Sequence, residues 1–204
     1  MVSYSFAALL GYLLGCSNLA WVLAKKRGFD IRSAGSNNAG ASNATVTMGL
    51  KAGAAVAVHD VAKSCLAGFL AGVLFPSLPH AAAVAAVAAV LGHIFPFWLR
   101  FKGGKGFASF LGLTLILDWR FFLAILALVL LITLITDYIA LGTLTAVISF
   151  PTYLFFRQMG TAAVLIVCIA SFTIICKHFV NIRRIATGQE IGLRRTMTKK
   201  DRVA

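Results

Sequence analysis

The sequence predicts an all-α polytopic membrane protein with seven spanning helices, the N-terminus outside and the C-terminus in the cytoplasm. Three observations carry this. Of the 204 residues, 60% are hydrophobic and only 12% charged, and the mean hydropathy is +0.90, which a soluble domain does not reach. The apolar residues form long runs separated by short polar ones. The net charge of +13 is gathered at the ends of those runs, where basic side chains anchor helices and set topology. That placement accounts for the charge without nucleic acid, which is not expected as a partner.

The apolar runs are 4–24, 52–75, 81–98, 107–117, 121–136, 138–156 and 161–176. A spanning helix needs about 20 residues, so the fourth and fifth are short, and the fourth could be re-entrant. Charge decides between these. Lys25, Lys26, Arg27, Arg32 and Lys51 lie between the first two runs, and Arg100, Lys102 and Lys105 between the third and fourth. Lys177, Arg183, Arg184, Arg194, Arg195, Lys199, Lys200 and Arg202 follow the seventh, whereas the other connections carry only Arg120 and Arg157. Positive-inside bias puts the three basic groups in the cytoplasm, so the fourth run must cross, with protein around it or a thinned bilayer.

The first run passes into a polar segment without an A-x-A-like site, so no cleavable signal peptide is expected. Cys16, Cys65, Cys168 and Cys176 lie in apolar runs without metal-ligand spacing and read as small buried residues. His59, Asp60 and Lys63 interrupt the second run. Asp60 and Lys63 are three apart, so they share a helix face and can neutralise each other, a structural role before a chemical one. The third run ends G-H-I-F-P, with small residues for close helix contact and Pro96 as an expected kink. The chain reads as one integral-membrane domain over 1–204, with 191–204 a basic tail suited to anionic headgroups.

Three polar clusters fall on the same predicted side. Residues 99–109, L-R-F-K-G-G-K-G-F-A-S, place Lys102 and Lys105 among Gly103, Gly104 and Gly106. Glycines admit close backbone approach, and successive N–H groups at a helix start form an anion site to which a lysine adds a point charge. A basic loop that only orients the protein would also contain lysines. Residues 30–43, D-I-R-S-A-G-S-N-N-A-G-A-S-N, are rich in turn formers, and Ser36, Asn38, Ser42 and Asn43 offer neutral hydrogen bonds to a phosphate. The third cluster holds Lys177, His178, Asn181, Arg183 and Arg184, then Gly188, Gln189 and Glu190. If the last helix continues, His178, Asn181 and Ile185 share a face with Arg184 close by.

No H-x-x-x-x-D pair, G-x-S-x-G elbow, H-E-x-x-H motif or magnesium-binding carboxylate cluster is apparent in the sequence. No metal or cofactor is therefore expected, and the chemistry points to positioning and electrostatic stabilisation.

These clusters resemble the motifs of the PlsY family, bacterial membrane acyltransferases that acylate glycerol 3-phosphate from acyl phosphate. The similarity runs from L-L-G in the first run to N-I-R-R-I-A-T-G-Q-E. Its most specific parts are G-H-I-F-P-F-W-L-R-F-K-G-G-K-G and H-F-V-N-I-R-R-I-A-T-G-Q-E. The resemblance implies a multi-pass protein of the bacterial plasma membrane with a cytoplasmic site. It implies acyl transfer to the sn-1 hydroxyl of glycerol 3-phosphate, giving lysophosphatidic acid and phosphate as the first step of phospholipid synthesis. Ser36, Lys105, His178 and Asn181 would be catalytic. Asn38, Gly40, Ser42, Asn43, His93, Gly103, Gly104, Arg184 and Glu190 would bind substrate. The implied partners are acyl phosphate, glycerol 3-phosphate, the lipid bilayer and the enzyme that forms the acyl phosphate.

The first motif departs from the family form G-S-G-N-x-G-A-T-N, which an arginine follows. Asn37 replaces the second glycine, Ser42 the threonine, and Val46 the arginine, while Cys16 replaces a usual serine. Serine keeps the hydroxyl, but losing the arginine removes a permanent bidentate phosphate donor. A divergent paralogue with another donor or acceptor, or without turnover, is therefore an alternative. A small-anion transporter is a further one, although no repeated halves with paired broken helices are visible.

Overall fold

The computed structural model describes residues 2–190, 192 and 194, and among these every regular element is helical. The helices are α1 (Val2–Gly15), α2 (Leu19–Lys26), α3 (Ala41–Met48), α4 (Leu50–Leu74), α5 (Ala81–Ile94), α6 (Phe107–Leu117), α7 (Trp119–Thr136), α8 (Ile139–Phe156) and α9 (Thr161–Ala186). The expected all-α class is observed. Six helical stretches are long and apolar enough to cross a membrane: Ser3–Lys26, Leu50–Leu74, Ala81–Leu99, Trp119–Thr136, Ile139–Phe156 and Thr161–Ala186. The seventh apolar helix, α6, is shorter. The chain divides into two compact units, one ending at Leu117 and one beginning at Asp118. The 191–204 tail lies outside the described residues apart from Gly192 and Arg194.

In the first unit α1 packs on α5, and α4 packs on α5 and α6. Small residues bring the backbones together, as the third run suggested. A Cβ on Gly11 would strike the Ala85 carbonyl, one on Gly15 that of Ala89, and one on Gly92 that of Tyr12. α6 is enclosed by protein over Ser109–Thr114, each residue of which is buried. Tyr4 donates to the Pro79 carbonyl at 3.0 Å, so α1 starts beside the α4–α5 turn. At the other end Trp21 meets Trp98 edge-on with ring centroids 5.0 Å apart, which brings α2 against the chain after α5.

Three features differ from the sequence reading. Of the four cysteines expected to be buried only Cys16 is, while Cys65 and Cys168 are half-buried and Cys176 is exposed. The first apolar run is not one helix: α1 stops at Gly15, and Asn18 caps α2 by accepting from the Trp21 amide at 2.8 Å. The carbonyls freed by the break find partners, Cys16 O from the Trp98 indole at 2.8 Å and Ser17 O from the Lys63 ammonium at 2.7 Å. Pro96 does not kink α5, which has already ended at Ile94. It opens a 3₁₀ turn over Phe97–Leu99.

In the second unit α8 packs on both α7 and α9. Asp118 caps α7 by accepting from the Arg120 and Phe121 amides at 2.9 and 3.0 Å, and accepts from the Tyr153 hydroxyl at 2.6 Å. The Tyr153 hydrogen bond holds the Asp118 carboxyl below its ordinary pKa. Phe121 packs on Phe150 with ring centroids 4.8 Å apart, joining α7 to α8 at that end. At the other end Asp137, with φ 71°, terminates α7 and accepts from the Arg194 amide at 2.7 Å.

Candidate functional site

The 30–43 loop is built around two side chains. Asp30 accepts from the Arg32 amide at 3.0 Å and pairs with the Arg32 guanidinium at 2.7 Å. Hydrogen bonding from Arg32 holds the Asp30 carboxyl at a pKa of about 2, below its usual 3.8. Arg32 also donates to the Leu99 carbonyl at 2.9 Å, joining the first polar cluster to the second. Asn43 is fully buried. Its Oδ1 accepts from the Ser36 amide at 2.8 Å, and its Nδ2 lies 2.9–3.0 Å from the carbonyls of Ile31, Ala34 and Asn38. The polar atoms of Asn43 are thus spent on the loop's own backbone.

Gly35 and Asn37 have φ of 59° and 58°, the left-handed region. Asparagine is among the few non-glycine residues that tolerate it. Asn37 can therefore hold the turn at a position where the resembling family carries glycine. Ser36 and Asn38 are half-buried beside it, and Ser42 is exposed on α3.

The second cluster is a tight reversal after α5. Arg100 and Phe101 both have positive φ, 56° and 59°. The amides of Gly103 and Gly104 then donate back to the Ile94 and His93 carbonyls, each at 3.1 Å. Neither glycine has room for a side chain. A Cβ on Gly103 would land on the His93 carbonyl oxygen, and one on Gly104 on the His93 imidazole at Nε2. Gly106, with φ 97°, releases the chain into α6, leaving Lys105 half-buried between two buried glycines.

The two loops meet. A Cβ on Gly40 would lie 4.0 Å from the Gly104 Cα, in ordinary van der Waals contact. Gly40 is the N-cap of α3 and supplies no side-chain cap, and α6 begins one residue after Gly106. The first-turn amides of a helix have no intrahelical acceptor, and the helix dipole favours negative charge there. Two such termini flank the Gly40–Gly104 contact, with Lys105 in the chain between Gly104 and α6. Hydroxyl, amide and ammonium groups on this frame suit a phosphoryl group.

Beneath the turn lies a buried charged cluster. Lys63 on α4 donates to Asp60 at 2.9 Å and to the Ser17 carbonyl at 2.7 Å, and its Nζ lies 2.8 Å from His93 Nδ1, which is itself 3.3 Å from Asp60 Oδ1. His59 Nδ1 is 3.3 Å from the same Asp60 oxygen. The Asp60–Lys63 pairing follows from their spacing. Its link to His93, 30 residues on, has no local sequence signal.

In the second unit His178 and Asn181 are buried on α9. His178 Nδ1 donates to the Ile174 carbonyl at 2.9 Å. α9 does continue past residue 176, to Ala186. Gly188, with φ 68°, then turns the chain so that the Glu190 amide reaches the Arg184 carbonyl at 3.2 Å. This return lets the Asn181 amide donate to Glu190 Oε1 at 2.6 Å. Arg184 itself is exposed. Among the described residues, no group of His, Cys, Asp and Glu is placed to hold a metal ion.

Residues 5–188 match the family model for glycerol-3-phosphate acyltransferase. Glycerol-3-phosphate acyltransferase 1 of Oceanobacillus iheyensis is 37% identical, over 97% of this chain and 98% of its own length. The glycerol-3-phosphate acyltransferase of Mesorhizobium japonicum is also 37% identical, over 90% of this chain and 93% of its own. Among solved structures, the crystal structure of PlsY, an integral membrane glycerol 3-phosphate acyltransferase in its glycerol 3-phosphate form, superposes with a TM-score of 0.89 at 32% identity. That match covers 97% of this chain and 100% of the other. The lysophosphatidic acid form of the same protein gives a TM-score of 0.85.

Proposed function

We propose that this chain, which belongs to the glycerol-3-phosphate acyltransferase family, transfers an acyl group from an acyl phosphate to the sn-1 hydroxyl of glycerol 3-phosphate. It is an integral membrane protein of that family. The observation that carries the proposal is the meeting of the Gly40 loop and the Gly104 turn, with Lys105 beside it, at two helix N-termini. This frame offers donors to an anion.

In the proposed reaction the sn-1 oxygen attacks the acyl carbonyl carbon. The bond from that carbon to the phosphate oxygen breaks, and the phosphate leaves with its electron pair. The hydroxyl proton passes to a phosphate oxygen, so lysophosphatidic acid and phosphate form without a protein base. Lys105 and the Ser36 loop hold the donor's phosphate and offset the charge that grows on it. His178 and Asn181 are assigned to glycerol 3-phosphate, with Glu190 fixing the Asn181 amide through its 2.6 Å hydrogen bond. Asn38, Gly40, Ser42, Gly103, Gly104 and Arg184 are assigned to substrate binding, and Asn43 to shaping the loop that binds.

The same reading places seven spans in a bacterial plasma membrane, the N-terminus outside and the polar clusters cytoplasmic, as the basic residues favour. The enzyme that makes the acyl phosphate is the natural partner, because its product is apolar at one end and hydrolysable at the other.

The test is phosphate release by purified protein given palmitoyl phosphate, with and without glycerol 3-phosphate. Release that depends on the acceptor, with lysophosphatidic acid formed, is expected. A folded sample that shows no acceptor-dependent release would refute the assignment and favour a divergent donor or acceptor.

A further inference from the structure

Lys63 lies where a charge is costly. It is 5% exposed, with Asp60 1% and His93 3% exposed, and it sits in a helix apolar enough to cross a membrane. Pairing with Asp60 would neutralise it. Yet its other two protons are also committed, one to the Ser17 carbonyl left by the α1–α2 break and one to His93 Nδ1. His93 Nδ1 lies 2.8 Å from the Lys63 ammonium and 3.3 Å from an Asp60 oxygen; an ammonium has no lone pair, so at the shorter of the two contacts Nδ1 is the acceptor. A neutral imidazole that accepts at Nδ1 carries its proton on Nε2. Nε2 faces the Gly103–Gly104 turn, where a Cβ on Gly104 would occupy its place.

We propose that Lys63 is a positioning residue that sets the tautomer of His93, so that His93 presents an uncharged Nε2–H donor to a phosphoryl oxygen held at the Gly103–Gly104 turn. The phosphoryl role rests on the acyl-transfer reading, and the tautomer does not. The arrangement explains why a lysine is retained at this depth when an apolar pair of similar volume would fill the space without the desolvation cost. The break between α1 and α2 belongs to the device, because it frees the Ser17 carbonyl that takes the remaining proton. Asp60 and His59 from α4 complete the charged surroundings.

The experiment uses full-length protein in lipid bicelles with ¹⁵N-labelled histidine, the His93 signals being assigned by their loss in His93→Gln. Nδ1 is expected at the shift of an unprotonated ring nitrogen and Nε2 at that of a protonated one. Lys63→Met should replace this pattern by a mixture of tautomers. Because that variant leaves Asp60 uncompensated, the double variant Asp60→Leu/Lys63→Met is measured beside it, with the same mixture expected. Addition of inorganic phosphate or of glycerol 3-phosphate should move the Nε2 signal. Movement by both ligands marks a general phosphoryl site, and movement by glycerol 3-phosphate alone marks the acceptor's phosphate.

Kinetics give the second arm. Glutamine places its amide near the Nε2 position and asparagine near Nδ1. His93→Gln should keep kcat/KM within about tenfold of wild type, and His93→Asn should lose about 100-fold, on the scale of one donor to a developing charge. A protonated Nδ1, an Nε2 signal indifferent to both phosphates, or better activity in His93→Asn than in His93→Gln would overturn the proposal. Wild-type protein inactive in acyl transfer would instead refute the function, leaving the ¹⁵N result to decide the tautomer and its phosphate contact.

Discussion

The Ser36 amide donates to Asn43 Oδ1 at 2.8 Å, across seven residues of chain. Through this bond one buried asparagine on α3 fixes the loop in which Ser36 is offered. Asn43→Asp keeps the acceptor but loses the donor to three carbonyls. The loss should lower stability by about 2–3 kcal/mol, the scale of buried carbonyls left unsatisfied. Thermal unfolding in detergent reads the shift, and activity should fall with it.

Lys105→Met removes the charge between Gly104 and Gly106 without removing the side chain's bulk. Acyl transfer should fall by about 100-fold or more, because the charge acts on the leaving phosphate. Full activity in this variant would mean that the phosphate sits elsewhere.

Gly104→Ala tests the close approach itself. The new methyl would land on the His93 ring, whereas in Gly40→Ala it would meet the movable amide end of Asn38 at 3.0 Å. Gly104→Ala should therefore cost at least tenfold more activity than Gly40→Ala, since displacing the turn misplaces Lys105. Parallel kinetics on the two variants decide it.

Acid should release the first loop. The Asp30 carboxyl is depressed to about 2 by Arg32, against an ordinary 3.8. A depressed carboxylate stabilises the fold fully above its unfolded pKa and loses that contribution as pH falls through the folded one. The melting temperature should accordingly carry a downward component between about pH 4 and pH 2 that Asp30→Asn lacks. Parallel curves for the two proteins across that window would disprove it.

Val46 is half-buried on α3, one turn beyond exposed Ser42. Val46→Arg would supply the bidentate donor that the PlsY-like motif has at this position. It should raise kcat/KM for acyl transfer by about tenfold, the worth of one charge-assisted contact to a phosphate. Steady-state kinetics on purified protein measure this gain.

By itself the sequence determined the helical class, the positions of the apolar segments and the identity of the polar clusters. These are local properties: apolar run length, glycine in tight turns, charge at run ends. The break at Asn18 was missed because an asparagine inside an apolar run reads as a single polar exception until its cap to Trp21 is seen. Only the tertiary structure decided what the buried polar atoms do. Asn43 turns inward to its own loop, Arg32 reaches Leu99, and Lys63 spans from Ser17, 46 residues before it, to His93, 30 after. In a low-dielectric interior an unpartnered polar atom is costly, and which partner these side chains find is fixed by helix packing between segments far apart in the chain.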